Sequence, residues 1–334
     1  MKKLIVFLML LISCSKSPLI NQDKSTDTGK RPYTGKNVKR VGGGRFPTLA
    51  SVYSFLQVGD IVVINPGVYN EQFILQNGVT FVIDGVTFNY SDPDINKSTV
   101  TNNGIKVTGC VITGAGTLLR SGSQGSVVEL NDSSVVSITN SVTIQDDQIN
   151  PYGAYYGALR VEGGSSLTFD GNINAKGVGA YIRDGSFTGT GNLSSLLYNA
   201  LQLGGNAAVV NFKGTAHSYG DYADAVQIGS GKLTFEGAII SEKYIALEQS
   251  GGSSVVNNTS ITSNADSSDY TYSVGVGGDS MIFSNVNMLS KGTFSIGGYG
   301  VLTLSSPCFA NKPPSLNVTI VNPGNLQIVL WKYY

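Results

Sequence analysis

A short unit of two strand-like segments joined by a Gly-rich turn recurs along this chain of 334 residues. Its clearest copy runs from Ala158 to Ala175, ALRVEGGSSLTFDGNINA, with apolar and polar residues alternating on both sides of the turn. Later copies read AYIRDGSFTGTGNLS, ALQLGGNAAVVNFKG, AVQIGSGKLTFEGAI, ALEQSGGSSVVNNTSI, SVGVGGDSMIFSNVNM and TFSIGGYGVLTLSS. Alternation with a period of two indicates β-strands that bury one face.

The spacing of these copies predicts how they assemble. Their first inward apolar residues align as Val79, Ile105, Val128, Leu159, Ala180, Leu201, Val226, Leu247, Val274 and Phe294. The interval averages about 24 residues, which is typical of a solenoid. A solenoid lengthens without splitting into domains, because each repeat contacts only its neighbours. We therefore predict an all-β solenoid of roughly ten coils with one core from Gly59 to about Phe309.

Composition agrees with this fold and excludes two classes of function. The 42 glycines predict many tight turns. Lys and Arg total 22 and Asp and Glu total 22, so the chain lacks the basic surface of a nucleic-acid-binding protein. Beyond the N-terminus, the sequence has no run of the ~20 apolar residues that span a bilayer.

The N-terminus is typical of a targeting segment. Lys2 and Lys3 precede an apolar run from Leu4 to Ile12, which has the length of a signal-peptide core. The following Ser13-Cys14 completes a sequence that resembles a bacterial lipobox, and this resemblance implies cleavage before Cys14 and lipid attachment to its thiol. The alternative is an ordinary secretory signal cleaved nearby.

The chain is thus divided into a lipoprotein signal peptide (1–13), a flexible polar tether (14–44) and the solenoid domain (45–334). This division predicts a lipid-anchored protein of the bacterial cell envelope, at the outer membrane or the cell surface.

Cys110 and Cys308 are expected to be free and buried. They lie about eight coils apart, which is nearly ~40 Å at ~4.8 Å per coil. A disulfide needs Cα atoms within roughly 7 Å of each other.

The first coil carries a family resemblance. Residues Pro47 to Val58 predict a short helix with Thr48 as its N-cap and an apolar face suited to covering the end of the solenoid. The next segment, GDIVVINPGVYNEQFILQNGVTFVIDGV, resembles the opening coil of pectin lyase-like right-handed parallel β-helices. This resemblance implies a right-handed parallel β-helix. The fold is shared by lyases, hydrolases, adhesins and phage proteins, so it leaves function open.

Side chains at one position of successive coils should form columns. Phe169, Phe235 and Phe283 indicate a second inward column. The outward column beside the first reads Thr80, Lys106, Glu129, Arg160, Tyr181, Gln202, Gln227, Glu248, Gly275 and Ser295. Its alternating charges at Lys106, Glu129 and Arg160 indicate a cross-strand ladder. A stripe that binds sugar acids through Arg160 and Arg183 is the alternative. Beyond the last coil, 316–334 predicts terminal strands.

Four expanded segments fall at the same phase of the coil, just before the first strand of a repeat: 92–103, 145–157, 215–224 and 263–273. They should therefore share one long edge, where a rigid scaffold displays functional loops. They contain Tyr152, Tyr155, Tyr156, Tyr219, Tyr222, Tyr270 and Tyr272. Tyr rings can pack on sugar faces, and Asp side chains can accept hydrogen bonds from sugar hydroxyls. We predict that this edge binds a polysaccharide or cell-surface glycan. Ordinary turn and packing roles are the alternative.

Enzymatic candidates are less well supported. His217, Asp221 and Asp224 place an imidazole and two carboxylates in one segment, but the Gly-His-Gly and Arg-x-Lys motifs of hydrolases with this fold are missing. Asp146 and Asp147 lie about three coils from Asp224, some ~14 Å away, whereas glycosidase carboxylates lie about 5–9.5 Å apart.

Arg160 and Arg183 are candidates for the base of a polysaccharide lyase, and Asp132, Asp146 and Asp147 for Ca²⁺ ligands. No other cofactor is expected. A lyase or hydrolase with a divergent site, or a purely structural spacer, are the alternatives to a binding protein.

The lipid anchor leads to a first test. Because the anchor would be attached to the Cys14 thiol, we expect Cys14→Ser to release the protein from membranes while its fold is retained. Fractionation of cells expressing either form measures this. A variant that still sediments with membranes after washing would contradict the lipobox interpretation.

Overall fold

A computed structural model describes residues 37–91, 97–121, 125–148, 157–266, 272–315 and 317–329. All of them belong to one compact unit, Gly35–Tyr334. The signal peptide with Cys14, and most of the tether, lie outside the described residues. Within the described ranges, no helix is both long and apolar enough to cross a membrane.

The unit is a right-handed parallel β-helix of about 11 turns, which confirms the predicted fold class. The first coils contain β1 Val38–Val41, β2 Ile61–Ile64, β3 Gly67–Tyr69, β4 Phe73–Ile74, β5 Thr80–Val82, β6 Val86–Tyr90, β7 Val100–Thr101, β8 Thr108–Thr113 and β9 Thr117–Arg120. The middle coils contain β10 Val128–Leu130, β11 Val135–Asp146, β12 Gly157–Glu162, β13 Ser166–Ala175, β14 Val178–Arg183, β15 Ser186–Ser195, β16 Leu201–Leu203, β17 Val209–Ser218, β18 Val226–Ile228 and β19 Lys232–Ser241. The last coils contain β20 Leu247–Gln249, β21 Ser253–Ser263, β22 Val274–Val276, β23 Ser280–Ser290, β24 Ile296–Gly298, β25 Val301–Leu304, β26 Cys308–Ala310, β27 Thr319–Val321 and β28 Leu326–Ile328.

Each coil contributes to two parallel sheets. The ten-stranded sheet stacks β4, β7, β10, β12, β14, β16, β18, β20, β22 and β24. The other strands form an eighteen-stranded sheet. In the middle coils its members are single long strands of 10 to 12 residues, such as β11 and β13. One apolar core runs through the unit from Val41 to Ala310.

The ten-stranded sheet confirms most of the predicted inward column and corrects its ends. Its register aligns Phe73, Val100, Val128, Leu159, Ala180, Leu201, Val226, Leu247, Val274 and Ile296. The predictions of Val79, Ile105 and Phe294 for this column are wrong. Val79 and Ile105 follow the turns at Gly78 and Gly104, whereas the sheet residues precede those turns. Ile105 is 63% exposed.

The second inward column is confirmed, with two non-aromatic members, Gly189 and Val256, among its Phe residues. The register runs from Phe169 through Gly189 to Phe212, Phe235, Val256 and Phe283. At Gly189 the space is taken by Phe187 from the neighbouring column, since an added Cβ would lie 2.8 Å from the Phe187 ring. The Phe187 and Phe212 rings stack with centroids 6.0 Å apart.

Glycines mark the corner at which the long strands bend. Gly171, Gly191, Gly214 and Gly237 pair with one another on successive coils. Gly214 has φ +149°, and a Cβ there would overlap the carbonyl oxygen of Gly191. The corner is therefore restricted to glycine by both backbone conformation and space.

The predicted N-terminal helix is reduced to one 3-10 turn, Tyr53–Phe55, within a run of other turns. The predicted N-cap is wrong: Thr48 Oγ1 accepts a hydrogen bond from the Ser51 N–H at 3.2 Å in an earlier turn, whereas Val52 is the N-cap of the 3-10 turn. The Glu71 carboxylate accepts hydrogen bonds from the N–H groups of Leu49 and Ala50. The turns still bury Leu49 and Val52, and a second 3-10 turn, Pro323–Asn325, precedes the last strand.

Cys110 and Cys308 are both buried and free, as predicted. Desolvation raises the pKa of the Cys110 thiol to about 12. The protonated thiols act as small apolar core residues.

The glycine corner predicts a position-specific loss of stability. We expect Gly214→Ala to destabilise the fold by about 1–3 kcal/mol, because the new Cβ meets backbone that cannot move without breaking the ladder. Gly324→Ala is the matched control, since no atom lies within 4 Å of its added Cβ. Urea unfolding followed by circular dichroism compares them. Equal midpoints for the two variants would show that the corner tolerates a side chain.

Candidate functional site

The expanded segments leave the solenoid at one phase of the coil, as predicted. The long strands end on aligned residues: Asp146, Ala175, Ser195, Ser218, Ser241, Ser263 and Ser290. We call the segments that connect these residues to the next strand of the ten-stranded sheet the loop edge. Parts of it, 92–96, 149–156 and 267–271, lie outside the described residues.

A ladder of buried serines fixes the base of the loop edge. Ser218 and Ser241 both donate hydrogen bonds to the carbonyl oxygen of Ala223, at 2.8 and 3.1 Å. Ser263 donates to the carbonyl oxygen of Tyr244 at 2.6 Å. Ser195 accepts a hydrogen bond from the N–H of Tyr198 at 3.1 Å. These hydroxyls satisfy backbone groups that the ladder leaves unpaired, so the loops start from a rigid base.

A first hollow lies on this edge, between the loops that follow β11 and β17. Its volume is about 320 Å³, and its lining includes Asp146, Asp147, Lys176, Leu196 and Tyr219. The Asp146 and Ser218 rungs are three coils apart, which is about 14 Å at ~4.8 Å per coil. Two of the four segments singled out in the sequence therefore share one concave surface.

Asp146 is a buried carboxyl at the base of the first hollow and is only 3% exposed. Desolvation raises its pKa to about 6, and the neighbouring Asp147 adds to this. The hydrogen bond from the Gln148 N–H and the charges of Arg120 and Lys176 act in the opposite direction. The carboxyl therefore titrates near neutral pH, while an ordinary Asp titrates near pH ~3.9.

A second hollow of about 370 Å³ lies further along the same edge. Aromatic, charged and amide groups line it: Asp221, Tyr222, Glu242, Lys243, Tyr244, Asn264, Ala265 and Asp266. Tyr222 is 82% exposed, and its ring meets that of Tyr244 edge-on with centroids 6.0 Å apart. Lys243 forms an ion pair with Asp221 at 2.6 Å.

His217 joins the two hollows. Its ring stacks on Tyr219 with centroids 4.1 Å apart, and its Nε2 lies 2.7 Å from Glu242 Oε1. Asn264 donates to the other oxygen of Glu242 at 2.9 Å. Desolvation raises the pKa of Glu242, but these hydrogen bonds outweigh it and leave the pKa below its usual value. Glu242 therefore carries its charge at neutral pH.

Asp224 is not part of either hollow. It is 2% exposed and lies beside Glu248. Desolvation raises its pKa well above the usual value, and the charge and hydrogen bond of Glu248 add to the shift. The folded protein thus favours the protonated form of the Asp224 carboxyl group. His217, Asp221 and Asp224, which are close in sequence, therefore contact three different partners.

The predicted tyrosines are distributed as follows. Tyr219 and Tyr222 line the hollows. Tyr272 instead packs over the outer face of the ten-stranded sheet, 3.2 Å from the position of a Cβ on Gly275. Tyr152, Tyr155, Tyr156 and Tyr270 lie outside the described residues.

The charge ladder predicted on the ten-stranded sheet is changed at its first member. Lys106 is exposed outside the sheet, and Thr101 pairs with Glu129 in its place. Thr80 and Ser295 are likewise replaced in the outward column, by Ile74 and Gly297. The error follows from the misaligned turns described above.

Arg160 does form ion pairs, with Glu129 at 3.4 Å and with Glu162 at 2.8 Å. Arg183 is exposed on the next coil and pairs in register with Glu162.

The three candidate Ca²⁺ ligands are separated along the chain. Asp132 is exposed in the turn before β11, whereas Asp146 ends that strand and Asp147 follows it. In the described part of the chain, no three His, Cys, Asp or Glu side chains are grouped so that they could hold a metal ion.

Sequence reasoning missed Lys176, Glu242, Lys243, Tyr244 and Asn264, all of which line the hollows. Asn264 lies in the expanded segment 263–273, whereas the other four lie in shorter connections that do not stand out by length. The recurring Ser at the ends of β15, β17, β19, β21 and β23 could have marked the start of the connection that contains Glu242, Lys243 and Tyr244, but Lys176 follows Ala175 and had no such signal.

The buried Asp224 predicts a dependence of stability on pH. Its pKa is raised in the folded state, so its stabilising contribution is present at low pH and is lost as the pH rises through the folded pKa. Asp224→Asn keeps an N–H donor for Glu248 but cannot ionise. We expect the variant to melt at a higher temperature than the parent at about pH 8, and this difference to disappear near about pH 4.

Asp221→Asn is the control, because the Asp221–Lys243 pair is exposed and contributes little. Thermal melting by circular dichroism at both pH values measures the effect. An Asp224→Asn variant that melts below the parent at the higher pH would show that the ionised carboxylate is required.

Comparisons with protein-family models, with curated proteins and with solved structures found no match to this chain. A functional assignment therefore depends on the residues of the loop edge itself.

Proposed function

We propose that this protein binds a glycan along its loop edge. The observation that carries the proposal is the lining of the two hollows. Exposed Tyr222 and half-exposed Tyr219 stand beside carboxylates, an amide and lysines on neighbouring coils. A sugar has an apolar ring face and a rim of hydroxyls, so it needs both kinds of group side by side.

The spacing of the hollows fits a chain-like ligand. The Asp146, Ser218 and Ser263 rungs lie on one ladder, with three coils between the first two and two coils between the last two. The hollows together extend about 24 Å at ~4.8 Å per coil. This length and the rigid serine base favour an extended oligosaccharide over a compact small molecule.

Binding is favoured over catalysis by the partners of the candidate catalytic groups. His217 contacts Glu242, Asp221 contacts Lys243, and Asp224 is buried against Glu248. These contacts leave no common position at which the three groups could act on one reacting atom. Arg160 is likewise engaged by two carboxylates.

The cellular setting remains the one inferred from the sequence. We infer that Cys14 carries a lipid and that the residues between it and β1, 14–37, hold the solenoid away from the membrane of a bacterial envelope. The predicted tether end at residue 44 is too late, because Val38–Val41 pair with β2 in the solenoid. Kinship with the pectin lyase-like proteins is proposed on the opening-coil motif alone.

The proposal is tested by removing the two aromatic walls. We expect Tyr219→Ala combined with Tyr222→Ala to weaken glycan binding roughly tenfold or more, because the sugar loses its apolar contacts. Melting temperature should change little, since exposed loop residues add little to a solenoid core. Affinity electrophoresis in gels that contain single polysaccharides measures retention.

Tyr299→Ala is the matched control, because Tyr299 is 86% exposed but lies in the turn after β24, away from the loop edge. The double variant keeping full retention on every retained polysaccharide would contradict the proposal. New reducing ends or unsaturated uronates in the same incubations would instead identify an enzyme.

A further inference from the structure

The charges of the loop edge restrict the class of glycan that the proposed site would take. The two hollows contain five carboxyl groups, Asp146, Asp147, Asp221, Glu242 and Asp266, against two lysines, Lys176 and Lys243. Residues 37–334 contain 20 acidic and 15 basic side chains, and three of the five excess acidic residues are accounted for by the two hollows. Negative charge is therefore concentrated at the hollows.

The contacts within the hollows leave this imbalance in place. Lys243 is paired with Asp221 and the two charges cancel, so four carboxyl groups remain against Lys176. Glu242 is held ionised by hydrogen bonds from His217 and Asn264. Asp147 accepts a hydrogen bond from Gln145 at 3.0 Å, and Asp266 is exposed at the rim of the second hollow.

The aromatic walls act in the same direction as the carboxylates. The face of a Tyr ring attracts cations, because its quadrupole places negative charge there. Tyr219 and Tyr222 present such rings at the two hollows. An ammonium group on a sugar would meet both favourable features, whereas a sugar carboxylate would meet repulsion from Asp147, Glu242 and Asp266.

We propose that the two hollows select glycans that carry free amino groups and reject polyuronates. This inference rests on the proposed glycan-binding function. The tyrosine rings of the hollows would contact the sugar rings, and the charges would determine which of several glycans of similar shape binds most tightly.

The experiment compares three oligosaccharides of equal length and linkage by isothermal titration calorimetry with the full chain. They are β-1,4-linked hexamers of glucosamine, N-acetylglucosamine and mannuronate, which are cationic, neutral and anionic. At low ionic strength we expect the glucosamine hexamer to bind at least about tenfold more tightly than the mannuronate hexamer. The ratio should shrink at about 0.5 M salt, because exposed charges are then screened.

Two pairs of substitutions separate local charge from net charge. Asp147→Asn with Asp266→Asn should reduce the ratio of glucosamine to mannuronate affinity several-fold, because the local negative charge is removed. Asp132→Asn with Asp279→Asn changes the net charge equally but in exposed turns that precede long strands, β11 and β23. The second pair should therefore leave the preference intact.

The possible outcomes distinguish a failure of the charge selection from a failure of the proposed glycan binding. Equal or tighter binding of mannuronate, or a preference that the Asp147 and Asp266 substitutions leave unchanged, overturns the charge selection while glycan binding stands. Absence of binding to all three hexamers, with no retention on any polysaccharide gel, overturns the proposed function itself.

Discussion

The parallel, in-register stacking of backbone at ~4.8 Å per coil is the constraint on which the rest of the structure depends. Because of this stacking, each residue of a coil lies directly on the equivalent residue of the next coil. A side chain must therefore fit against the equivalent side chains on both neighbouring coils. The corner column is glycine at Gly171, Gly191, Gly214 and Gly237 because each residue there touches the carbonyl group of the coil before it. From Ser195 to Ser290 the strand-end column is serine, and the hydroxyls of Ser218, Ser241 and Ser263 bond to carbonyl groups of the departing loops.

The features that follow from these repeated columns could be predicted from the sequence alone. Alternation and period together give the sheet, the solenoid and the seven inward residues from Val128 to Val274, since local pattern and global fold agree there. The first two coils were misaligned because Val79 and Ile105 are apolar residues next to an inward strand but on the wrong side of a Gly turn. Val79 is nevertheless buried while Ile105 is 63% exposed, so an apolar residue beside a Gly turn does not by itself give the strand register.

The candidate site was predictable in position but not in its contacts. The shared phase of the long insertions placed Tyr219 and Tyr222 on the correct edge. The partner of His217 was not predictable, because Glu242 lies 25 residues away and becomes its neighbour only through the strand register. The sequence proximity of His217, Asp221 and Asp224 suggested a cluster. In the folded loop, however, the two carboxylates have different neighbours. Asp221 pairs with Lys243, and Asp224 is buried beside Glu248.

The residues that stabilise the fold and those proposed to bind a ligand lie in different parts of each coil. The core columns and the serine base cannot change without affecting the neighbouring coils, whereas described residues of the loop edge such as Tyr222 and Asp266 are exposed. Charges that would be costly in the core can therefore gather at the edge, and a ligand need only match the spacing that the coils impose. Asp224 marks the point at which the connection becomes buried again. It stands next to β18, where the loop rejoins the ten-stranded sheet, and there the carboxyl is buried against Glu248 and held toward its neutral form. The connection between β17 and β18 thus runs from the exposed Tyr222 to the buried Asp224 within a few residues. A ligand would therefore contact the outer, exposed part of each connection.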